Sequence, residues 1–450
     1  MADLHHLTLT QALGAMTSGE VSPVTLVSAL LQRIETSDHK ISAWETVDEE
    51  GALQAARASE ARFASRAVRP LEGLPVGIKD IFLTEGMRTQ AGFAPFSSFI
   101  PDHDAEAVAR LRAAGAIILG KTVTTQFAFM DPPITTNPWK EGHTPGGSSS
   151  GSAAAVAARM VPAALGTQTS GSVLRPAAFC GVVGYKPSFG LISRRGIFPD
   201  SWSLDHVGVI TRSVEDAALL AGALFGHDPQ DPASVTYQGD DLTAFLTKES
   251  APPRVGILSA FLGRAKDDVA VSTRAAIDRL AQAGAQVEDV DLPVDLDLAM
   301  AVHRVIMQTE MASVHAQTHA RSAKDYAPLL RAYVEVGQLI PGASYVHAQR
   351  LRRRIREALT PLAQRYDVLL LPTVSSTAPD TSTTGDPSFQ GFWTLVGFPS
   401  ISLPSGLSKE GLPYATQLVA APLQDARLLA AARWCHSVLG GIPAPPGIPP

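Results

Sequence analysis

GGSSSGSAAAVAARMVPAALGTQTSGSVLRPAAFCG, residues 146–181, is the stretch on which the reading of this 450-residue chain turns. Two Gly/Ser turns, Gly146–Ser152 and Thr169–Ser172, flank a run of small residues of helix length. Small residues let backbones approach closely, so such turns are able to bring serine hydroxyls together around a compact helix. Taken alone, the first turn also fits a flexible linker, the common fate of Gly/Ser tracts. Composition does not choose between the two.

The flanking sequence supplies the frame. Upstream, LEGLPVGIKDIF (71–82) is a short alternating run punctuated by Pro75 and Gly77, which predicts a strand delivering Lys79 to an edge or cavity. AEAVARLRAAG (105–115) predicts a helix stopped by Gly115, and AIIL (116–119) a buried strand. Near the N-terminus, Thr8 caps one expected helix and Ser22-Pro23 opens a second with apolar residues at helical spacing. Downstream, 221–253 is polar and Pro-punctuated, VGIL then reads as a strand, and 296–365 is mostly helical and rich in arginine. VLLLPT (368–373) and PSISLP (399–404) return to strand character. Alternation of this kind predicts an α/β fold: one large domain over 1–450, a mixed β-sheet core covered by helices, with core motifs in 70–220 and at most a helical lobe over 221–345.

With these motifs in order, the chain resembles the amidase-signature family. Ser148 and Ser172 lie 24 positions apart, the family spacing, and GLPVGIKD matches the family's lysine motif. GYKPSFGLISRRG (184–196), DHVGVITRSVEDAALL (205–220) and the segment from PTVSSTAPD (372–380) to WTLVGFPSISLPSG (393–406) extend the likeness over nearly the whole chain. The resemblance implies a serine amidohydrolase with Ser172 as nucleophile, Ser148 as proton relay following a cis Gly147–Ser148 bond, and Lys79 as base. It implies an oxyanion hole from the backbone N–H groups of Thr169, Ser170, Gly171 and Ser172. It implies no cofactor and no metal.

The residue types suit that chemistry. A serine hydroxyl is a weak nucleophile until a base removes its proton. A lysine is such a base only when neutral, which requires desolvation or positive potential. Lys79 lies in an apolar run, and strand alternation is expected to turn Asp80 to the other side. Ser149 is expected to support the relay or the substrate. One departure stands out: the family's oxyanion turn usually has two glycines before the nucleophile, and here it reads Ser170-Gly171. Ser170 is therefore expected to accept a glycine-like backbone angle, or the turn to shift.

Arg175 and the Ser201-Trp202 pair resemble malonamidase-like members, where an arginine at this position binds a substrate carboxylate; an ion pair with an internal acid is the alternative. Trp202 reads as a pocket wall or a core residue.

Three other patterns carry less. GAIILGKT (115–122) fits a phosphate loop by letter, but AIIL is itself the expected strand, so nothing is left to cradle a phosphate. Gly147–Gly151 fits a hydrolase nucleophile elbow, yet NPWKEGHTPG precedes it where a strand is needed. His315 and His319 share a helix face at metal-ligand spacing, but Ala316 stands where a zinc protease has glutamate, so exposed helix histidines are the expectation.

Composition bounds the partners. Net charge is −6, apolar residues make up 45%, and there are two cysteines. No broad positive field attracts nucleic acid or anionic lipid, and two cysteines do not make a disulfide framework. No long apolar run exists to span a bilayer, and the N-terminus has acidic and histidine residues where a signal peptide is basic. The expected setting is cytoplasmic. The expected partner is a small-molecule amide, carboxylate-bearing or ureido, with a homodimer left open. The primary reading is thus a free-standing amidase releasing ammonia or an amine through a Ser172 acyl-enzyme. The alternatives are an amidotransferase-type component of a larger complex, an esterase, and an inactive binding protein.

Overall fold

The computed structural model describes residues 4–239, 241–243 and 251–446; part of the polar segment 221–253 therefore lies outside the described residues. Among the described residues eleven strands form one sheet: β1 (Trp44–Val47), β2 (Pro75–Lys79), β3 (Ile117–Thr122), β4 (Ala163–Gln168), β5 (Val183–Lys186), β6 (His206–Thr211), β7 (Arg254–Ile257), β8 (Gln286–Asp289), β9 (Val368–Pro372), β10 (Ser400–Leu407) and β11 (Pro413–Val419). Their spatial order is β1-β3-β2-β4-β6-β5-β10-β11-β9-β7-β8. The pairs β3–β2, β2–β4, β9–β7 and β7–β8 are parallel and the others antiparallel, so the sheet is mixed. Helices cover it, as expected for an α/β domain.

Local chemistry explains the elements. Thr8 accepts from the Gln11 N–H and the Gln11 side chain answers the Thr8 N–H, a reciprocal cap on helix Leu9–Ser18. Ser22 caps Pro23–Ile41 with proline at the first turn. Helix Glu106–Ala114 ends at Gly115 in the left-handed conformation. The central strands β2, β3 and β4 are buried at every position, the mark of a sheet covered on both faces.

Residues 221–345 differ from a helical lobe. β7 and β8 lie in this segment and extend the main sheet through β9. A four-residue strand carries too little periodic signal to reveal that it joins a distant edge. Beyond them, helices Leu296–Ser322 and Pro328–Gln338 pack on each other, and the first also packs on Ser388–Val396.

What matters for the site is β2 beside β4. They run parallel, with Ile78 opposite Leu165. Lys79 and Thr167, one and two positions further on, thus reach the same carboxyl edge of the sheet, where ligands of α/β proteins commonly bind.

Candidate active site

Lys79 is fully buried at the end of β2. Its Nζ lies 2.8 Å from Ser148 Oγ and 2.9 Å from Thr167 Oγ1. Desolvation pulls its pKa down from the usual lysine range to about 7, against the opposing charges of Asp200 and Asp205. Asp80 faces away, 3.3 Å from Lys121 Nζ. That pairing keeps its charge off Lys79, as strand alternation requires.

Ser148 sits in a buried turn leading into helix Ser150–Ala157, and the Gly147–Ser148 peptide is cis. Gly146 has a left-handed φ of 81°, and a β-carbon there would fall 2.9 Å from Pro176 Cα. Only glycine fits that position. Ser149 ties the turn to β4: its Oγ and the Thr167 backbone pair at 3.3 Å in both directions.

The second turn follows β4 directly. Ser172 is buried, and its carbonyl accepts from the Ser149 N–H at 3.3 Å, which joins the two turns. The Ser172 hydroxyl makes no hydrogen bond to a described residue. Gln168 Oε1 accepts from the N–H groups of Val173 and Leu174 at 2.9 and 3.0 Å. None of the N–H groups from Thr169 to Ser172 donates to a described residue, so four amide donors remain clustered beside the serine. A β-carbon on Gly171 would stand 2.4 Å from Gln390 Oε1.

Ser170 keeps an ordinary backbone, since it is absent from the positive-φ residues. Of the two arrangements expected from the sequence, a glycine-like angle or a shifted turn, the first is not adopted. Instead its hydroxyl lies 3.3 Å from His303 Nε2 and its carbonyl accepts from Thr394 Oγ1 at 2.7 Å. His303 Nε2 also reaches the Thr169 carbonyl at 3.0 Å. Burial holds this imidazole down to about 4, so it is neutral.

Arg175 is 2% exposed. Its guanidinium donates to the carbonyls of Gly385 and Gly147, each at 2.8 Å, and to Thr384 Oγ1 at 3.2 Å. No described carboxylate lies at ion-pair distance, and burial lowers its pKa to about 10. The arginine braces the carbonyl of the residue just before Ser148.

A cavity of about 230 Å³ is lined by Thr167, whose hydroxyl meets Lys79 Nζ, and by Thr169, Phe198, Asp200, Trp202 and Asp205 among others; Lys79, Ser148 and Ser172 are not on its lining. Trp202 is 50% exposed, a wall of this cavity and not a core residue. Asp205 accepts from Thr169 Oγ1 at 2.5 Å and from the N–H groups of Asp200 and Ser201 at 2.9 Å.

The other patterns resolve structurally. GKT of 115–122 lies inside β3, where Lys121 Nζ donates to the Phe82 carbonyl at 2.7 Å. No strand leads into Gly147–Gly151. His315 is buried, contrary to the exposed face expected, because its helix turns it toward Phe127 and Tyr326, with Tyr326 Oη 3.1 Å from Nδ1. His319 lies 3.6 Å from Glu335. Among the described residues no three His, Cys, Asp or Glu side chains form a metal-holding group. Both cysteines are free and buried. No described helix is long and apolar enough to cross a membrane.

Thr167, Gln168, Asp200, Asp205, His303 and Thr394 went unnamed in the sequence reading. Thr167 and Gln168 carried a signal: two polar residues closing an otherwise apolar, buried strand. His303 comes from a distant helix and carried none, and Thr394 lies in the family-like segment 393–406 without a role attached to it.

The Amidase family model matches residues 25–429, and the chain belongs to this family. It is therefore a C–N hydrolase or an amidotransferase by class. Among its relatives, a glutamyl-tRNA(Gln) amidotransferase component of Desulforapulum autotrophicum is 34% identical over 494 residues, spanning 99% of this chain and 100% of that one. A solved chain from a vestigial protein complex, described as revealing the origins of an s-triazine catabolic enzyme, is 30% identical with a TM-score of 0.91, covering 97% of this chain and 100% of that chain. Native peptide amidase from Stenotrophomonas maltophilia is 30% identical with a TM-score of 0.85, each chain covered to 98%.

Proposed function

We propose that this protein cleaves a carboxamide C–N bond through an acyl-enzyme on Ser172, with Ser148 and Lys79 carrying the proton. The observation that carries the reading is the 2.8 Å contact between Ser148 Oγ and a buried lysine whose pKa is held near 7. A neutral Nζ takes the Ser148 proton while Ser148 takes that of Ser172, and Ser172 Oγ adds to the amide carbon. The unused N–H groups of Thr169–Ser172 receive the oxyanion, a contribution of about 2.7–4 kcal/mol per donor. The proton returns through Ser148 to the leaving nitrogen, and ammonia or an amine departs. Water then adds to the acyl ester by the same path and frees the acid and Ser172. The short separation of the turns suits this relay, since catalytic hydrogen bonds often tighten only with substrate bound.

The curated relatives support an amidotransferase setting over a free-standing small-amide hydrolase: an amidase component whose ammonia passes to an acceptor in an assembly. Arg175, whose malonamidase-like position pointed to a small carboxylate-bearing substrate, gives no counterweight, because its donors serve Gly385, Gly147 and Thr384. The likeness to a peptide amidase keeps small amides as the second reading. Ammonia release by the purified chain across amino-acid amides, peptide amides and ureas, alone and with proteins co-purified from its source, separates them. Turnover that rises strongly with a co-purified partner supports the assembly. Full turnover of a small amide by the lone chain supports the second reading.

A further inference from the structure

Asp200 is the feature of the cavity that the proton path does not use. It is 2% exposed, it lines the cavity, and neither carboxylate oxygen has a hydrogen-bond partner among the described residues. Buried polar atoms are almost always satisfied, and an unpaired buried carboxylate is costly. The surrounding groups do not supply a counter-charge. Arg194 is 2.9 Å from Asp231, and Arg195 is paired with Asp228 and Glu106. The Thr169 hydroxyl, close enough to favour the carboxylate, donates to Asp205. His206 is held neutral by burial. Glu310, on the far side of the Ser201–Ser203 turn, adds negative potential. With Lys79 neutral for catalysis and both lining arginines ion-paired, the cavity offers Asp200 no free cation.

We infer that Asp200 anchors a positively charged nitrogen of the substrate, so that the amides taken by this site carry an ammonium or similar cation away from the scissile bond. A cationic nitrogen supplies the charge-assisted hydrogen bonds that these unpartnered oxygens lack. Trp202, exposed on the same cavity, presents an aromatic wall of the kind cations favour. Burial and the neighbouring Asp205 push Asp200 well above the usual carboxylate range in the empty cavity, and an arriving cation reverses that pressure. The inference deepens the amidase reading and takes the amide portion of the ligand from it.

The test reads binding without turnover. Aminoalkanamides with one to five methylenes between ammonium and carboxamide are titrated by calorimetry into Ser172→Ala protein, each against its hydroxyl-terminated analogue. The ammonium compound is expected to bind about tenfold tighter or more at one or more chain lengths. Ser172→Ala/Asp200→Asn, isosteric at the second site and checked for an unchanged melting curve, is expected to lose that preference. Equal affinities at every length, a preference that survives Asp200→Asn, or no measurable binding by either series overturns the inference. Each of these outcomes leaves the amidase reading to its own test, the loss of ammonia release in Ser172→Ala.

Discussion

Ser172→Ala is expected to abolish amide hydrolysis, by roughly 10⁴-fold or more, while leaving the fold unchanged. Ser172 Oγ makes no hydrogen bond to a described residue, so removing it strands no partner. The loss of one oxygen from a buried serine also leaves little empty space. The deficit falls on kcat, because the nucleophile acts in the chemical step and not in binding. Ser148→Ala in the Ser172→Ala background should add little, since members of a catalytic unit are not additive. Circular dichroism and ammonia release on the single and double variants check both halves. A Ser172→Ala protein with substantial turnover would remove the nucleophile from this account.

Lys79→Met carries the second large effect and reads on stability as well as rate. Loss of a general base costs about 10²–10⁴-fold, so kcat/KM should fall by about 10³. In the wild type, kcat/KM should rise with pH through about 7 and then level, because only the neutral amine accepts the proton. The stability sign follows from the same depression. The folded lysine titrates near 7 and the unfolded one near 10.5. Below pH 7 both states hold the proton, and the fold carries the whole burial penalty, about 5 kcal/mol. The penalty declines as pH rises through the folded value, since the unfolded chain then binds more protons. Lys79→Met should therefore raise the melting temperature, and more at pH 6 than at pH 9. Retention of near wild-type turnover from pH 6 to 9 would break the proposed proton path, whatever the melting curves show.

Much of the frame was legible because it rests on local chemistry. Thr8, Ser22 and Gly115 punctuate helices by mechanisms that need only neighbouring residues. Lys79 at the end of a short apolar strand and the two Gly/Ser turns announced where polar chemistry enters the core. What resisted reading depends on three-dimensional neighbours. The geometry at Ser170 is decided by His303 and Thr394, more than 130 and 220 positions away. His315 gave an i, i+4 pattern with His319 that says nothing of burial, which Phe127 and Tyr326 decide. Arg175 was read as facing substrate or an acid, and its guanidinium instead meets backbone carbonyls, partners that no side-chain pattern can announce. The joining of β7 and β8 to the sheet likewise waits on β9, about 110 residues downstream of β7.

The central claim is that a substrate acyl group rests on Ser172 during turnover. Rapid acid quench of the wild-type protein with a slowly hydrolysed aryl amide or aryl ester, followed by peptide mapping by mass spectrometry, tests it most directly. The expected result is a single acyl adduct on the peptide containing Ser172, growing in at pH 8, suppressed at pH 5.5 and absent from Ser172→Ala. An adduct mapped to Ser148, or turnover of the same compound with no adduct on any serine, would contradict it.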